Sequence, residues 1–141
     1  MNQNATFVTL LCLVFGALSL GCTDEEGPVF ISVTELTDST STIGPYEVVA
    51  TLVDDHPIER VELRWAIGGS EDKHTTEMTS LGGHAWSAHI EGQPPGTTIF
   101  YQVAARDEDG NEVAWPAPFV NEAGDTELPV HSFSILDPVL P

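Results

Sequence analysis

From Ile58 to Ile67 the side chains alternate without a break. Val61, Leu63, Trp65 and Ile67 fall on one parity, and Arg60, Glu62 and Arg64 on the other. A period of two sends successive side chains to opposite faces of an extended chain, so this stretch reads as a strand with one dry face. A helix would spread the same four apolar residues around its circumference. The signal returns along the chain. Ile99, Tyr101, Val103 and Ala105 share a parity within residues 97–106, and Trp86, Ala88 and Ile90 alternate with Ser87, His89 and Glu91. Residues 29–34, 46–53, 74–81, 113–115 and 130–135 supply less regular strands, the third with Met78 as its one strong apolar residue before Leu81. Between them lie turn signals: Asp54-Asp55-His56-Pro57, Gly68-Gly69-Ser70, Gly82-Gly83, the corner Gly92-Gln93-Pro94-Pro95-Gly96, and Asp109-Gly110. No segment carries a sustained helical apolar period with caps. Roughly seven to eight strands at spacings of about 8–14 residues predict an all-β chain folded as a single antiparallel β-sandwich. Trp65, Trp86, Tyr101 and Phe133 are its expected core aromatics, and residues 116–129 read as loop-rich.

Charge narrows the partners. The 141 residues hold 22 Asp and Glu against 4 Lys and Arg, a formal net charge of −18. Phosphate backbones are bound by Lys and Arg that neutralise them, so nucleic acid is excluded as a partner. The same shortage of cations disfavours docking on anionic lipid through a polybasic patch. The 41% hydrophobic share is that of a folded domain, and the length allows one.

The first 22 residues read as an address. The apolar run FVTLLCLVFGALSL from Phe7 to Leu20 is shorter than the roughly 20 residues of a transmembrane helix and suits the hydrophobic region of a signal peptide. It ends in Ser19-Leu20-Gly21-Cys22 and turns polar at Thr23-Asp24-Glu25-Glu26. This resembles the lipobox of bacterial lipoproteins, in its relaxed form, since Ser19 stands where leucine is usual; residues 1–6 also lack the usual Lys or Arg. The resemblance implies a signal peptide over residues 1–21, lipidation of Cys22, a tether over 22–28 and a sandwich over 29–137. It implies an exported protein held by its lipid at the bacterial cell envelope, on the outer or cell-surface membrane rather than the inner. Cys12 would be discarded with the signal, and residues 23–141 contain no cysteine, so no disulfide staples the domain.

Pro95-Gly96-Thr97-Thr98-Ile99-Phe100-Tyr101-Gln102-Val103-Ala104-Ala105-Arg106-Asp107, followed by Asp109-Gly110-Asn111, resembles the corresponding run of fibronectin type III and related bacterial immunoglobulin-like domains. Asp54-Asp55 with Ile58 to Trp65, and Met78, Gly82-Gly83, Trp86 and Ile90, resemble the strands and hairpin upstream of it. The insertion over 116–129 departs from the pattern. The resemblance implies that the Tyr101 hydroxyl bonds back to the preceding corner, pinning one end of the sandwich. It implies little about function, because the scaffold hosts many activities.

Candidate sites are few. Asp107-Glu108-Asp109-Gly110-Asn111-Glu112 reads first as a solvated hairpin turn. Its carboxylates are also calcium candidates, Asp107 and Asp109 together with Asp54 and Asp55, since hard oxygen ligands suit calcium and the two loops share one end of such a sandwich. The five histidines have no zinc spacing, and no nucleophile motif is present. No cofactor and no catalysis are expected. Trp115 and Phe119, around Pro116-Ala117-Pro118, form a candidate binding patch, with burial against the sandwich as the other reading. The expected role is a non-catalytic binding, adhesion or spacer module. Alternatives are a calcium- or glycan-dependent adhesion module, and an accessory or inhibitor subunit docking on an envelope enzyme. The partners are thus the membrane through the lipid, and an envelope protein or glycan.

Overall fold

A computed structural model describes residues 26–120, 122–127 and 129–138; residues 1–21, expected to be a signal peptide, and Cys22 lie outside them. The strands are β1 (Val29–Val33), β2 (Tyr46–Val53), β3 (Ile58–Ile67), β4 (Lys73–Glu77), β5 (Thr79–Gly82), β6 (Ala85–Ile90), β7 (Thr98–Asp107), β8 (Glu112–Trp115), β9 (Phe119–Val120), β10 (Thr126–Glu127) and β11 (His131–Ser134). No helix occurs among the described residues. One sheet has the order β1-β2-β6-β5. The other runs β11-β7-β3-β4, with β8 also on β7. All the strand pairings are antiparallel, and the chain is an all-β sandwich.

The dry parities meet between the sheets. Val48, Ala50 and Leu52 of β2, with Ala88 and Ile90 of β6, join Val61 and Leu63 of β3 and Ile99, Tyr101, Val103 and Ala105 of β7 in one core. Burying each large apolar side chain contributes about 1.5–3 kcal/mol, which suffices at this size without a disulfide. Tyr101 and Phe133 are fully part of this core; Trp65 and Trp86 pack against it while keeping some exposure. The rim position of Trp65 follows from its neighbour in the register, His74 on the edge strand β4, on which its ring stacks at 4.1 Å.

Two expectations need correction. The single strand over 74–81 is two strands in different sheets. Met78, 2% exposed, plugs into the core and forces the chain across the sandwich, so β4 and β5 each have every residue exposed. The last edge is likewise split. β11 pairs with Thr98 to Tyr101 and β8 with Val103 to Arg106, so both lie along the same side of β7. The insertion between them is not all loop, since it holds the hairpin β9–β10. Finally, the Tyr101 hydroxyl does not reach the preceding corner. It donates to the Thr34 carbonyl (2.7 Å) and accepts from the Leu36 N–H (2.9 Å), on the β1–β2 connection. The corner is instead closed by the chain end, through Gly96 N–H to Ile135 O (2.7 Å) and Ile135 N–H to Thr97 O (2.8 Å).

Candidate functional site

The acidic loops do come together. Glu108 N–H donates to the Pro57 carbonyl (3.1 Å), and His56 Nε2 lies 3.7 Å from Asp109 Oδ2. Within the cluster Asp107 is not a solvated turn residue: it is 0% exposed. Its carboxylate accepts the Asn111 backbone N–H and the Asn111 Nδ2–H, each at 2.8 Å. Burial alone would push its pKa up. The Asn111 side chain, then the backbone N–H groups of Asn111, Gly110 and Asp109, outweigh burial and hold the carboxyl below the ordinary aspartate range. Gly110 makes the turn possible with φ of +93°. Asp107 thus folds the β7–β8 hairpin inward and has its oxygens engaged by the turn. Asp54 Oδ1 accepts the His56 N–H (2.9 Å), and Asp54 Oδ2 is buried without a hydrogen bond. Asp55 is exposed. Among the described residues no group of three or more His, Cys, Asp or Glu is disposed to hold a metal ion.

This end of the sandwich also receives residues 26 and 27, at the start of the described chain. Asn111 Nδ2 donates to the Glu26 carbonyl (3.4 Å), and Glu26 and Gly27 line a small groove with Asp54 and Asp55. Trp115, one half of the candidate aromatic patch, turns toward the core. It pairs with Val103 and its ring tilts over His131 at 5.8 Å. The Phe119 backbone belongs to β9, and its side chain is outside the described residues.

The surface of most interest is the outer face of the β4-β3-β7-β8 sheet. The chain's four cations, Arg60, Arg64, Lys73 and Arg106, lie on β3, β4 and β7. The register places them on one face: Arg60 opposes Arg106, Arg64 opposes Gln102, and Ala66 lies between Lys73 and Phe100. Arg64 is clamped by Glu62 (2.8 Å) and Glu112 (3.1 Å), Arg60 reaches Glu62 (3.5 Å), and Arg106 reaches Glu59 (3.1 Å). These pairs leave the face close to neutral, so the net −18 resides on the rest of the molecule.

Two clefts open here on either side of Arg64 and Gln102. One, of about 330 Å³, has Lys73, Thr75, Phe100 and Val130 along it. The other, of about 460 Å³, has Glu112, Ala114, Ala117 and Pro118. Gln102 Nε2 donates to the Pro129 carbonyl (3.4 Å), which holds the end of the insertion against the sheet. Phe100, 36% exposed, lines the first of them. The sequence signal for it was present: a phenylalanine on the polar parity of an otherwise alternating strand, beside Thr98 and Gln102.

No protein-family model and no curated protein matches the chain. Among solved structures, the Br derivative of BhCBM56 aligns with a TM-score of 0.40 and 12% identity, over 62% of this chain and 78% of that one.

Proposed function

We propose that the chain is a lipid-anchored, non-catalytic binding module of the bacterial cell envelope, which presents the outer face of the β4-β3-β7-β8 sheet to an envelope glycan. The observation that carries this is the charge segregation. Every cation of a strongly acidic chain sits on that face, so a macromolecule approaching there meets the least repulsion. The chemistry suits a sugar. A pyranose has apolar C–H faces and a rim of hydroxyls. Phe100 offers a partly exposed ring in the first cleft, and Arg64 and Gln102, shared by both clefts, offer planar polar groups to one side of it, with Glu112 beyond them in the second.

The placement of the tether supports the same choice of face. It joins the acidic loop end, so on a lipidated chain that end points to the membrane and the sheet face points sideways, open to envelope polymers. A calcium-dependent adhesion site at Asp54, Asp55, Asp107 and Asp109 would face the wrong way. The sandwich itself reads as immunoglobulin-like: the order β1-β2-β6-β5 opposite β3-β7 follows the A-B-E-D and C-F arrangement of that fold.

The test is affinity electrophoresis of the full chain through gels containing envelope polysaccharide from the source cells, with calcium and with chelator. Retardation is expected in both, and Phe100→Ala removes it. Retardation only with calcium would move the site to the acidic end. Free migration in both, alongside one envelope protein retained on immobilised chain, would favour a docking subunit. A Cys22→Ala chain should lose lipid incorporation, and unchanged incorporation would remove the anchor.

A further inference from the structure

We infer that the chain pairs with a second copy of itself through the edge strand β4, in an antiparallel arrangement whose two-fold axis passes through Thr75. The inference stands apart from the glycan reading and would hold if that reading failed.

β4 is an open edge. It pairs with β3 on one side only, all five of its residues are exposed, and its register with β3 runs from Glu62↔Glu77 to Ala66↔Lys73 without a shift. The other edges of the two large sheets are blunted. The β1 and β5 pairings each contain a register irregularity, and the edge opposite β4 is divided between β8 and β11 by the insertion. Bulges and interruptions are how edges are kept from pairing, and β4 has neither.

The direction of its backbone groups follows from one hydrogen bond. Met78 N–H donates to the Val61 carbonyl (2.8 Å). Opposed residues in an antiparallel ladder alternate between hydrogen-bonded and non-hydrogen-bonded pairs. The pairs Thr76–Leu63 and His74–Trp65 therefore continue the bonded series, and Lys73, Thr75 and Glu77 turn their N–H and C=O groups away from β3. A second β4 can bond only through those three residues. Centring the pair on Thr75 sets Thr75 opposite Thr75 of the second copy and Lys73 opposite its Glu77, twice over, with all three outward residues of each strand engaged.

Side-chain charge selects the same register. Among the described residues neither Lys73 nor Glu77 makes an ion pair. Glu77 instead stands across from Glu62 within its own sheet. The two-fold pairing gives each Lys73 a Glu77 partner on the same sheet face. Sliding one strand by two residues toward the β3–β4 turn would bring Glu71 against Glu77. Sliding it the other way would bring Thr75 against Glu77 and strand the lysine. The pairing also joins the two near-neutral sheets and keeps the acidic loop ends apart, which a chain of charge −18 requires. Joined, the two outer faces form one continuous surface.

The experiment is oxidative cross-linking of the full chain in membranes. Thr75→Cys places two thiols across a pair whose Cα atoms lie about 5.5 Å apart, within reach of a disulfide. The unchanged chain, with Cys12 and Cys22, sets the background, and Ser70→Cys, at the exposed turn before β4, controls for random collision. Thr75→Cys should cross-link at least five times more than Ser70→Cys. Adding Lys73→Glu or Glu77→Lys alone should abolish the excess, because each opposes like charges across the axis. Adding both should restore it, which a folding defect would not do. Equal cross-linking at Ser70 and Thr75, or an excess that survives both single reversals, would overturn the inference.

Discussion

Removing the Tyr101 hydroxyl tests how the two sheets are tied. In Tyr101→Phe the ring still fills its place in the core, so the transfer energy is retained. Two hydrogen bonds are lost, to the Thr34 carbonyl and from the Leu36 N–H, across 67 and 65 residues of chain. Each is worth about 0.5–1.5 kcal/mol net, and an unsatisfied buried partner costs about 1–3 kcal/mol. Thr34 and Leu36 are half-buried, so water relieves part of that cost. The expected loss is about 2 kcal/mol. With a urea m-value of about 2 kcal/mol/M, the unfolding midpoint falls by about 1 M. Tyr46→Phe is the internal comparison, since that hydroxyl donates one bond, to the Ser41 carbonyl, and should cost about 1 kcal/mol. Hydrogen exchange adds a local readout: the Leu36 amide, protected in the parent, should exchange faster in Tyr101→Phe than the change in global stability accounts for. A midpoint shift no larger than that of Tyr46→Phe, with Leu36 still protected, would refute the reasoning.

Acid should act through Asp107. Its folded pKa is depressed below the ordinary 3.8, so its contribution is present above that value and lost as pH falls through the folded one; in Asp107→Asn, urea midpoints measured across this range should show a shallower acid loss than the parent. Burial, opposed in part by the Leu36 N–H, holds the Tyr101 hydroxyl above the ordinary 10.0, so the stability it contributes should be complete below pH 10 and decline as pH rises through its folded pKa, a decline absent in Tyr101→Phe. His84 sits at φ of +72°, in the turn between β5 and β6; His84→Gly should raise stability by about 1 kcal/mol, measured by urea unfolding. Trp65 Nε1 is buried without a hydrogen-bond partner, so Trp65→Phe should lose only packing, about 1 kcal/mol or less by the same measurement.

The regular strands were legible because alternation is local. β3 was read from Ile58 to Ile67 and is found there, and β7 is displaced from its expected span by one residue. Gly82-Gly83 and Asp109-Gly110 mark hairpins where turn chemistry placed them. What was not legible depends on tertiary facts. Met78 has polar neighbours on both sides, so no periodicity announces that it crosses between sheets. Asp107 looks like any acid beside a turn until the N–H groups of residues 109–111 close on it. The cation-bearing face appears only when the registers of β3, β4 and β7 are set side by side, since residues 60, 64, 73 and 106 are scattered in sequence. Phe100 stands out in the strand as the apolar residue on the wrong parity, and only its exposure in the folded sheet makes that placement a surface.

The outer sheet face is the proposed binding surface. The most direct measurement is amide chemical-shift mapping of the full chain in detergent micelles, titrated with envelope polysaccharide. The account predicts shifts confined to residues around Arg64, Thr75, Phe100, Gln102 and Ala114, absent in Phe100→Ala while that variant keeps the parent's unfolding midpoint to within about 1 kcal/mol in stability. Shifts confined to residues 54–56 and 107–111, with the sheet face silent, would contradict it.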